Sequence, residues 1–365
     1  PGTIVKFVSG GLDVRGTLNV EGSAEAPVVF STWTDDGAGG DTNADGAATS
    51  PIAGDWEGIG VYGPGEAVIE NGEIRYAREA VYGRDSAVVT LDGAYLHHNR
   101  YGIYSWIHNV DIQVVNTVIA RNETGVYSHG LNRQSFLNAT IVDNGTGLDY
   151  DGSNGITLSM QNTVVAHNDT GLDNRDRGTA EATIQYSLFH NSTNISWSGG
   201  GGTEAPDLAS HGNVVAAPML VDAVGGDYSL AAGSPGIDSA RGIGAPGIDM
   251  LGRPRFDDPG LANLGAGHPA YVDIGAFERQ EATVPAVDLS VTDVSVTPLE
   301  AEAGDTVTVS WTGENTGQRT LTEDWTDEVY LSTDPYLSVA DDVLLGQEDH
   351  SDDLAVGRQY RAEWA

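Results

Sequence analysis

The chain contains no cysteine, and this absence excludes three kinds of chemistry at once. Disulfide bridges, thiolate zinc sites and cysteine nucleophiles all need a sulfur that none of the 365 residues supplies. Stability does not depend on disulfides, because a chain of this length can bury one large apolar core or two ordinary ones.

Positive charge is also scarce: 17 Lys and Arg residues face 53 Asp and Glu residues, and the formal net charge is -36. Lys6 is the one lysine of the sequence. A nucleic-acid partner is disfavoured, because phosphate binding requires a basic surface. So acidic a chain repels itself unless cations screen it, and we therefore expect Ca²⁺ or a saline medium to stabilise the fold.

Long apolar runs are absent, since none approaches the ~20 residues that a membrane-spanning helix requires. The opening segment PGTIVKF has the composition of a strand and not of a signal peptide. We therefore expect that the chain begins within a domain and that any targeting segment lies outside it.

The clearest positive feature is an internal repeat of about 23 residues. Aligning its five copies superposes five asparagines in steps of 23, 22, 24 and 23 residues. The aligned residues are Asn99, Asn122, Asn144, Asn168 and Asn191. Glycine and aliphatic positions superpose as well, among them Gly102 with Gly125 and Ile103 with Val126. β-Branched residues dominate and no 3.6-residue apolar period occurs, which predicts a parallel β-helix rather than a leucine-rich repeat.

In a β-helix, equivalent positions of successive coils lie above one another, so inward residues form aliphatic columns. The aligned asparagines are then interpreted as a structural ladder, in which each amide bonds to the next.

The sequence divides into two parts. Residues 1–280 are assigned to the β-helix, with an Asp/Gly-rich loop at 34–55 and a closing cap at 228–278. A linker at 281–285 precedes alternating strands at 286–365, a pattern typical of an immunoglobulin-like β-sandwich. About 80 residues are fewer than the ~100 of a complete sandwich, so this second part is predicted to be partial.

Specific motifs carry a family resemblance. The coils resemble the right-handed parallel β-helix superfamily that includes pectate lyases. The segments SPGIDSA at 234–240, GRPR at 252–255 and DIGAFE at 273–278 resemble the closing signature of the choice-of-anchor Q type. The segments VDLSVTDVSVTP and GDTVTVSWTGENTG resemble a CARDB module, the bacterial cell-adhesion-related domain. The resemblance implies an all-β, extracellular, surface-linked protein and implies no reaction.

The motif DTNADG predicts a calcium loop, because alternate residues of a tight turn can direct oxygens towards one hard cation. The proposed ligands are Asp41, Asn43, Asp45, the carbonyl of Ala47, and Asp36 or Asp55 to complete the shell; Asp35 is a further candidate. Ile52 occupies the position where such loops usually carry a closing glutamate. A secondary acidic set in the second part comprises Asp327, Asp334, Asp341 and Asp342. For both sets, solvated turn aspartates are the alternative.

Catalysis is an alternative, since neighbouring coils can place two carboxylates at the spacing that glycoside hydrolysis needs. The candidate residues are Asp149, Asp151, Asp173 and Asp176, beside Arg175 and Arg177. Stacked turns collect aspartates without any function, so a non-catalytic role is favoured over an enzyme.

Two further clusters accompany the coils. His98, Arg121, Asp143, His167 and His190 precede the ladder asparagines. Histidines in this row could bind a metal, but Arg121 and Asp143 interrupt them and a solvated edge is favoured. Tyr82, Tyr95, Tyr101, Tyr104, Trp106 and Tyr127 form an aromatic concentration that could stack on sugar rings or simply pack.

The sequence favours a non-catalytic extracellular structural or adhesive module, stabilised by calcium and able to assemble head to tail into a filament. Its partners would be neighbouring copies or other surface proteins. The alternative is a carbohydrate-active β-helix, a lyase or hydrolase, or a module that binds acidic polysaccharide.

Overall fold

The computed structural model describes residues 1–152, 154–280, 287–302, 304–332 and 342–365. It separates into two compact units, Pro1–Ala282 and Thr283–Ala365. Within the described residues, no helix has the length and apolar character needed to cross a membrane.

The first unit is built from short strands separated by turns. In chain order they are β1 (Ile4–Phe7), β2 (Gly11–Val14), β3 (Thr17–Glu21), β4 (Val28–Thr32), β5 (Trp56–Tyr62), β6 (Glu66–Glu70), β7 (Gly72–Arg75), β8 (Ala77–Arg84), β9 (Val88–Asp92), β10 (Tyr95–His97), β11 (Tyr101–Trp106), β12 (Asp111–Val115), β13 (Val118–Ala120), β14 (Thr124–His129), β15 (Asn132–Leu137), β16 (Thr140–Val142), β17 (Thr146–Asp151), β18 (Ile156–Gln161), β19 (Val164–Ala166), β20 (Thr170–Asn174), β21 (Ala180–Gln185), β22 (Leu188–His190), β23 (Thr193–Trp197), β24 (Val214–Val215), β25 (Leu220–Asp222) and β26 (Asp227–Leu230). A 3₁₀ turn spans Gly200–Gly202.

Of these strands, 24 form three parallel sheets that run along the coils, and β25 pairs with β26 in a separate antiparallel sheet. Sheet A has nine strands in the order β1-β4-β7-β10-β13-β16-β19-β22-β24. Sheet B has eight strands, β2-β5-β8-β11-β14-β17-β20-β23, and sheet C has seven, β3-β6-β9-β12-β15-β18-β21. Each coil contributes one strand to each sheet, and the pairing is parallel throughout. The prediction of an all-β, right-handed parallel β-helix is confirmed.

The strand register places equivalent side chains in columns. Leu96, Ile119, Ile141 and Val165 are successive partners in sheet A and are all fully buried. Ile103 and Val126 begin the matching column of sheet B. Burying each such side chain contributes about 1.5–3 kcal/mol, so the stacked columns supply the main stabilisation of the coils.

The five aligned asparagines lie in one column at the corner between sheets A and B, where the first four are buried and Asn191 is half-buried. The side-chain amide nitrogen of each donates to the side-chain oxygen of the next, over 3.0, 3.0, 3.1 and 2.8 Å from Asn99 to Asn191. The same oxygens accept the backbone amides of the preceding asparagines, as from Asn99 to Asn122 at 2.9 Å. Every amide is satisfied, which a buried polar column requires.

The segment assigned in sequence to a closing cap lies instead along the outer face of sheet A. Val272, Ile274 and Ala276 pack there against strands β13, β16 and β19, and we call residues 228–278 the strap. The last coil is covered elsewhere, since Leu208 packs against the interior core. Outward aliphatic residues on sheet A explain this position, because they offer apolar surface that the strap buries.

A second asparagine column fastens the strap. These asparagines are Asn116, Asn138 and Asn162, all with a left-handed backbone at the turn before sheet A. Their side-chain amides donate to strap carbonyls of Ile248, of Asp273 and Gly275, and of Arg241, respectively. Left-handed conformations suit asparagine, which explains its recurrence at this turn.

Buried ion pairs and hydrogen bonds connect different parts of the strap to one another. The Glu278 carboxylate accepts from Arg255 at 2.8 Å and from the amide of Phe256, while Asp249 pairs with Arg253 at 2.6 Å. Burial raises the pKa of Glu278, and it raises the pKa of the neighbouring Asp238 to about 7. These ion pairs hold the strap in a defined conformation, because separating one partner would leave the other as an uncompensated buried charge.

The described residues of the second unit form five antiparallel strands. They are β27 (Leu289–Thr297), β28 (Thr308–Asn315), β29 (Trp325–Leu331), β30 (Val343–His350) and β31 (Gln359–Trp364). One sheet has the order β27-β28-β31, and the other pairs β29 with β30. This agrees with the predicted β-sandwich.

The ladder yields a stability prediction. Asn144→Ala removes the acceptor of two Asn122 donors and the donor to the carbonyls of Ile119 and Val142. We expect a loss of about 3 kcal/mol in the free energy of unfolding, because buried groups lose their partners. Urea denaturation measures it, with Asn263→Ala at an exposed position as the control. A loss no larger than that of the control would contradict the structural role of the column.

Candidate functional site

The acidic loop between β4 and β5 brings three carboxylates together. Ligand oxygens of Asp36, Asp41 and Asp45 all lie within 4.8 Å of one another. The amide of Gly46 donates to the Asp41 carboxylate at 2.9 Å, and Gly46 has a positive φ of 77° that the tight turn requires. Lys6 holds the loop from outside by donating to the carbonyl of Gly40 at 2.8 Å.

The other predicted ligands have different positions. The Asn43 side chain lies inside the loop, where its amide nitrogen donates to Asp45 at 3.0 Å, and Ala47 is exposed beside it. Asp55 instead accepts hydrogen bonds from Thr34 and from the amide of Ile52, so its carboxylate closes the end of the loop.

Asp35, the neighbour of Asp36, is engaged in the fold. Its carboxylate is buried and contacts Arg75 at 2.7 Å and the hydroxyl of Ser31. By contrast, Oδ1 of Asp36 is buried and accepts no hydrogen bond from the described residues. The loop therefore offers an oxygen-rich group, with one carboxylate oxygen unsatisfied, which suits a hard cation.

The acidic candidates on sheet B form an ion-pair cluster. Asp149 and Asp173 are register partners on β17 and β20, and Arg175 contacts them at 2.5 and 3.1 Å. Asp151 lies 4.0 Å from the same guanidinium. Burial raises the pKa of Asp149, and Arg175 opposes that shift. One arginine therefore holds three of the four predicted carboxylates.

The fourth carboxylate cannot serve as predicted. Asp176 is completely buried, and one of its oxygens accepts the amides of Gly155 at 3.0 Å and Gly178 at 2.6 Å. A group enclosed beneath its own turn does not reach a substrate. The candidate catalytic role of Asp176 is therefore wrong, because the turn that follows β20 directs the side chain inwards.

Two rows of side chains follow the outer face of sheet B. In one, Tyr82, Tyr104 and Tyr127 are successive register partners. In the other, Trp106 is followed by His129. Tyr104 stacks on Tyr127 with centroids 4.8 Å apart, and Trp106 stacks on His129 at 4.2 Å.

Both rows change character at β17. Tyr127 is followed by Asp149, and His129 is followed by Asp151. Each last ring therefore has one face covered by the ring before it and the other directed towards aspartates. A concavity of about 630 Å³ opens at this step, lined by His129, Asp151, Gly152, Arg175, Arg177 and Ser198. We call it the sheet B step.

Six aromatic residues lie close together in the sequence, and one of them, Tyr95, lies on a different sheet from the others. Tyr95 lies on sheet A, where its ring is 4.1 Å from that of His97. His97 in turn contacts Glu73 at 3.0 Å and His98 at 2.6 Å. Burial lowers the pKa of His98 to about 4, so this pair is neutral near pH 7.

In the second unit, Asp327 is a hydrogen-bond acceptor shared by several side chains. It accepts from Trp311 at 2.7 Å and from Tyr360 at 2.7 Å, and lies 3.1 Å from His350. Asp342 immediately precedes β30, while Asp334 and Asp341 lie outside the described residues. The contacts of Asp327 explain its position without a metal.

Part of the first unit is similar to known proteins. A family model described as "Periplasmic copper-binding protein (NosD)" matches residues 43–202, which fall within the first unit. A search of curated proteins finds no match. Among solved structures, the pectate lyase Pel9A is similar at 13% sequence identity with a TM-score of 0.30, over 77% of this chain and 88% of the lyase chain.

Proposed function

We propose that the first unit is a non-catalytic, extracytoplasmic module that binds polysaccharide at the sheet B step. The observation that carries the proposal is the end of the row of Trp106 and His129 at a concavity with charged walls. A sugar has an apolar face and a rim of hydroxyl groups. The free face of the His129 ring would contact the apolar face of the sugar, and Asp151 and Arg177 would bind its hydroxyl groups.

The charges favour a neutral glycan over the acidic one expected from sequence. Arg175 contacts three carboxylates, so its charge is compensated. Arg177 is exposed and forms no ion pair among the described residues, so of the two arginines that line the sheet B step it is the one available to a ligand. On a chain with a net charge of -36, a polyanion would be repelled unless divalent cations bridged it.

The same contacts support a binding role rather than hydrolysis. Glycoside hydrolysis needs one carboxylate free to donate a proton and a second to act as nucleophile or base. Asp149 and Asp173 share one guanidinium, and Asp176 is enclosed. Resemblances of the strap to choice-of-anchor Q endings and of the second unit to CARDB modules support an extracytoplasmic location. The periplasmic family that matches the coils supports it as well.

Glycan binding is tested at the last ring of the second row. A glycan array identifies a neutral oligosaccharide, and calorimetry then compares the protein with its His129→Ala variant. We expect about tenfold weaker binding, equivalent to about 1.4 kcal/mol, because the sugar loses its stacking surface. Thr90→Ala, on the outer face of sheet C, is the control. Equal affinities for the protein and the His129→Ala variant would reject this site.

Calcium is proposed as the cation of the acidic loop, with Asp36, Asp41 and Asp45 as carboxylate ligands and Asn43 and the carbonyl of Ala47 beside them. An ion that binds only the folded chain raises its melting temperature. We expect Ca²⁺ to raise Tm and a chelator to reverse the rise. Asp41→Asn is expected to abolish most of the shift, whereas Asp293→Asn in the second unit retains it. A rise of equal size in the Asp41→Asn variant would show that the ion binds elsewhere.

Self-association is a second candidate function, favoured by an apolar groove of about 820 Å³ in the second unit. Leu299, 91% exposed, lies on this groove with Val294 and Val296, and the proposed occupant is a strand from a second copy. Such a head-to-tail contact would build a filament if its rotation does not close into a ring.

Sedimentation over a range of concentrations tests this association. The unaltered chain is expected to associate, and Leu299→Glu is expected to weaken association by placing a charge in the groove. Val224→Glu, at a site 90% exposed in the first unit, is the matched control. A chain that stays monomeric throughout in Ca²⁺ would exclude the filament.

A further inference from the structure

We infer that His167, His190 and Asp169 form a site for a divalent transition metal at the edge between sheets A and B. The three side chains line one concavity of about 270 Å³, together with Ser192 and the ladder residues Asn168 and Asn191. All three are exposed side chains on a fixed backbone, so rotation about side-chain bonds can bring their donor atoms together.

The backbone holds the two histidines on neighbouring coils. His167 has a left-handed φ of 58°, and its amide donates to the carbonyl of His190 at 2.8 Å. Directly after it, the Asn168 side chain donates to Asn191 at 2.8 Å. The strand register pairs His190 with Ala166, and His167 follows Ala166 directly, so the two histidines lie on adjacent coils, which are about 4.8 Å apart, without being register partners.

The imidazole rings are at a suitable distance for a shared ion. Their centroids lie 6.3 Å apart with the planes at 79°. Metal–nitrogen bonds of about 2.0–2.1 Å place two imidazole centroids roughly 5–6.5 Å apart, depending on the angle at the metal. The observed separation lies inside this range.

Asp143 has the position of an orienting carboxylate. Its Oδ1 lies 3.5 Å from Nδ1 of His167, on the coil before it. A carboxylate beside one ring nitrogen favours the proton there and leaves Nε2 to bind a metal. The nearby cation does not compete, because the Arg121 guanidinium is directed to the carbonyls of Ala223 and Val224 on the strap side.

The donor set selects the ion. Two imidazoles and one carboxylate suit Zn²⁺, Cu²⁺ or Ni²⁺ and leave coordination positions for water or a ligand. Ca²⁺ prefers an all-oxygen shell such as the acidic loop, so the two sites differ in metal as well as in place. This inference stands independently of the glycan proposal, because the residues do not overlap.

Calorimetry with Zn²⁺, in excess Ca²⁺ to saturate the acidic loop, tests the site. We expect one Zn²⁺ per chain, and an affinity at least about tenfold lower in His167→Asn and in His190→Gln. Asparagine suits the left-handed backbone of residue 167. His108→Asn is the matched control, because His108 is also exposed and has a φ of 50°.

Asp143→Asn separates the orienting role from direct binding. It is expected to weaken Zn²⁺ binding about 10–100-fold. The electron paramagnetic resonance spectrum of bound Cu²⁺ should retain two nitrogen ligands in this variant but show one in His190→Gln. If His167→Asn fails to fold by circular dichroism, His190→Gln at the exposed strand end decides the question. Absence of one-to-one Zn²⁺ binding, or unchanged affinity in His190→Gln, overturns the site.

Discussion

Coil-to-coil registry is the constraint on which the rest of this structure depends. In each of the three sheets a backbone strand pairs in parallel with the equivalent strand of the next coil, so each residue type is repeated at a spacing near 4.8 Å. Apolar residues at inward positions become continuous columns. A buried asparagine becomes tolerable only because its neighbour above supplies the acceptor that its amide needs.

Registry also explains where the candidate sites are found. In a row of like side chains, each side chain packs against its neighbours in the row, as the stacked rings of Tyr104 and Tyr127 do. Sites open where a row changes. The aromatic rows of sheet B become aspartates at β17, and the residue before the ladder asparagine is a histidine on two adjacent coils, His167 after β19 and His190 at the end of β22. Where the residue type changes between adjacent coils, the last side chain of the row has no similar side chain packed on one of its faces. A ligand can bind to that face.

Carboxylates on the surface and carboxylates in the interior are stabilised in different ways. Exposed carboxylates repel one another across solvent, which cations and salt reduce. Within the strap, Glu278 and Asp249 are fully buried or nearly so and are matched by Arg255 and Arg253. The strap therefore stays on sheet A through specific partners, whereas the carboxylates of Asp36, Asp41 and Asp45 lie close together and form no ion pair within the described residues.

The sequence by itself determined what repeats. The period, the parallel coils, the inward aliphatic positions and the alignment of Asn99 with Asn191 follow from residues one coil apart, because each coil repeats the hydrogen-bonding environment of the last. The antiparallel strands of the second unit follow from alternation alone.

Tertiary structure decided the partners that lie far apart in the chain. Asn116, Asn138 and Asn162 belong to the same repeats, yet their amides bond to strap residues about 80–140 positions later. Asp36 joins the acidic group while Asp55 closes the loop, and Asp176 turns inwards beneath its own turn. No local period encodes these contacts, because they depend on the path of insertions and of the strap across the coils.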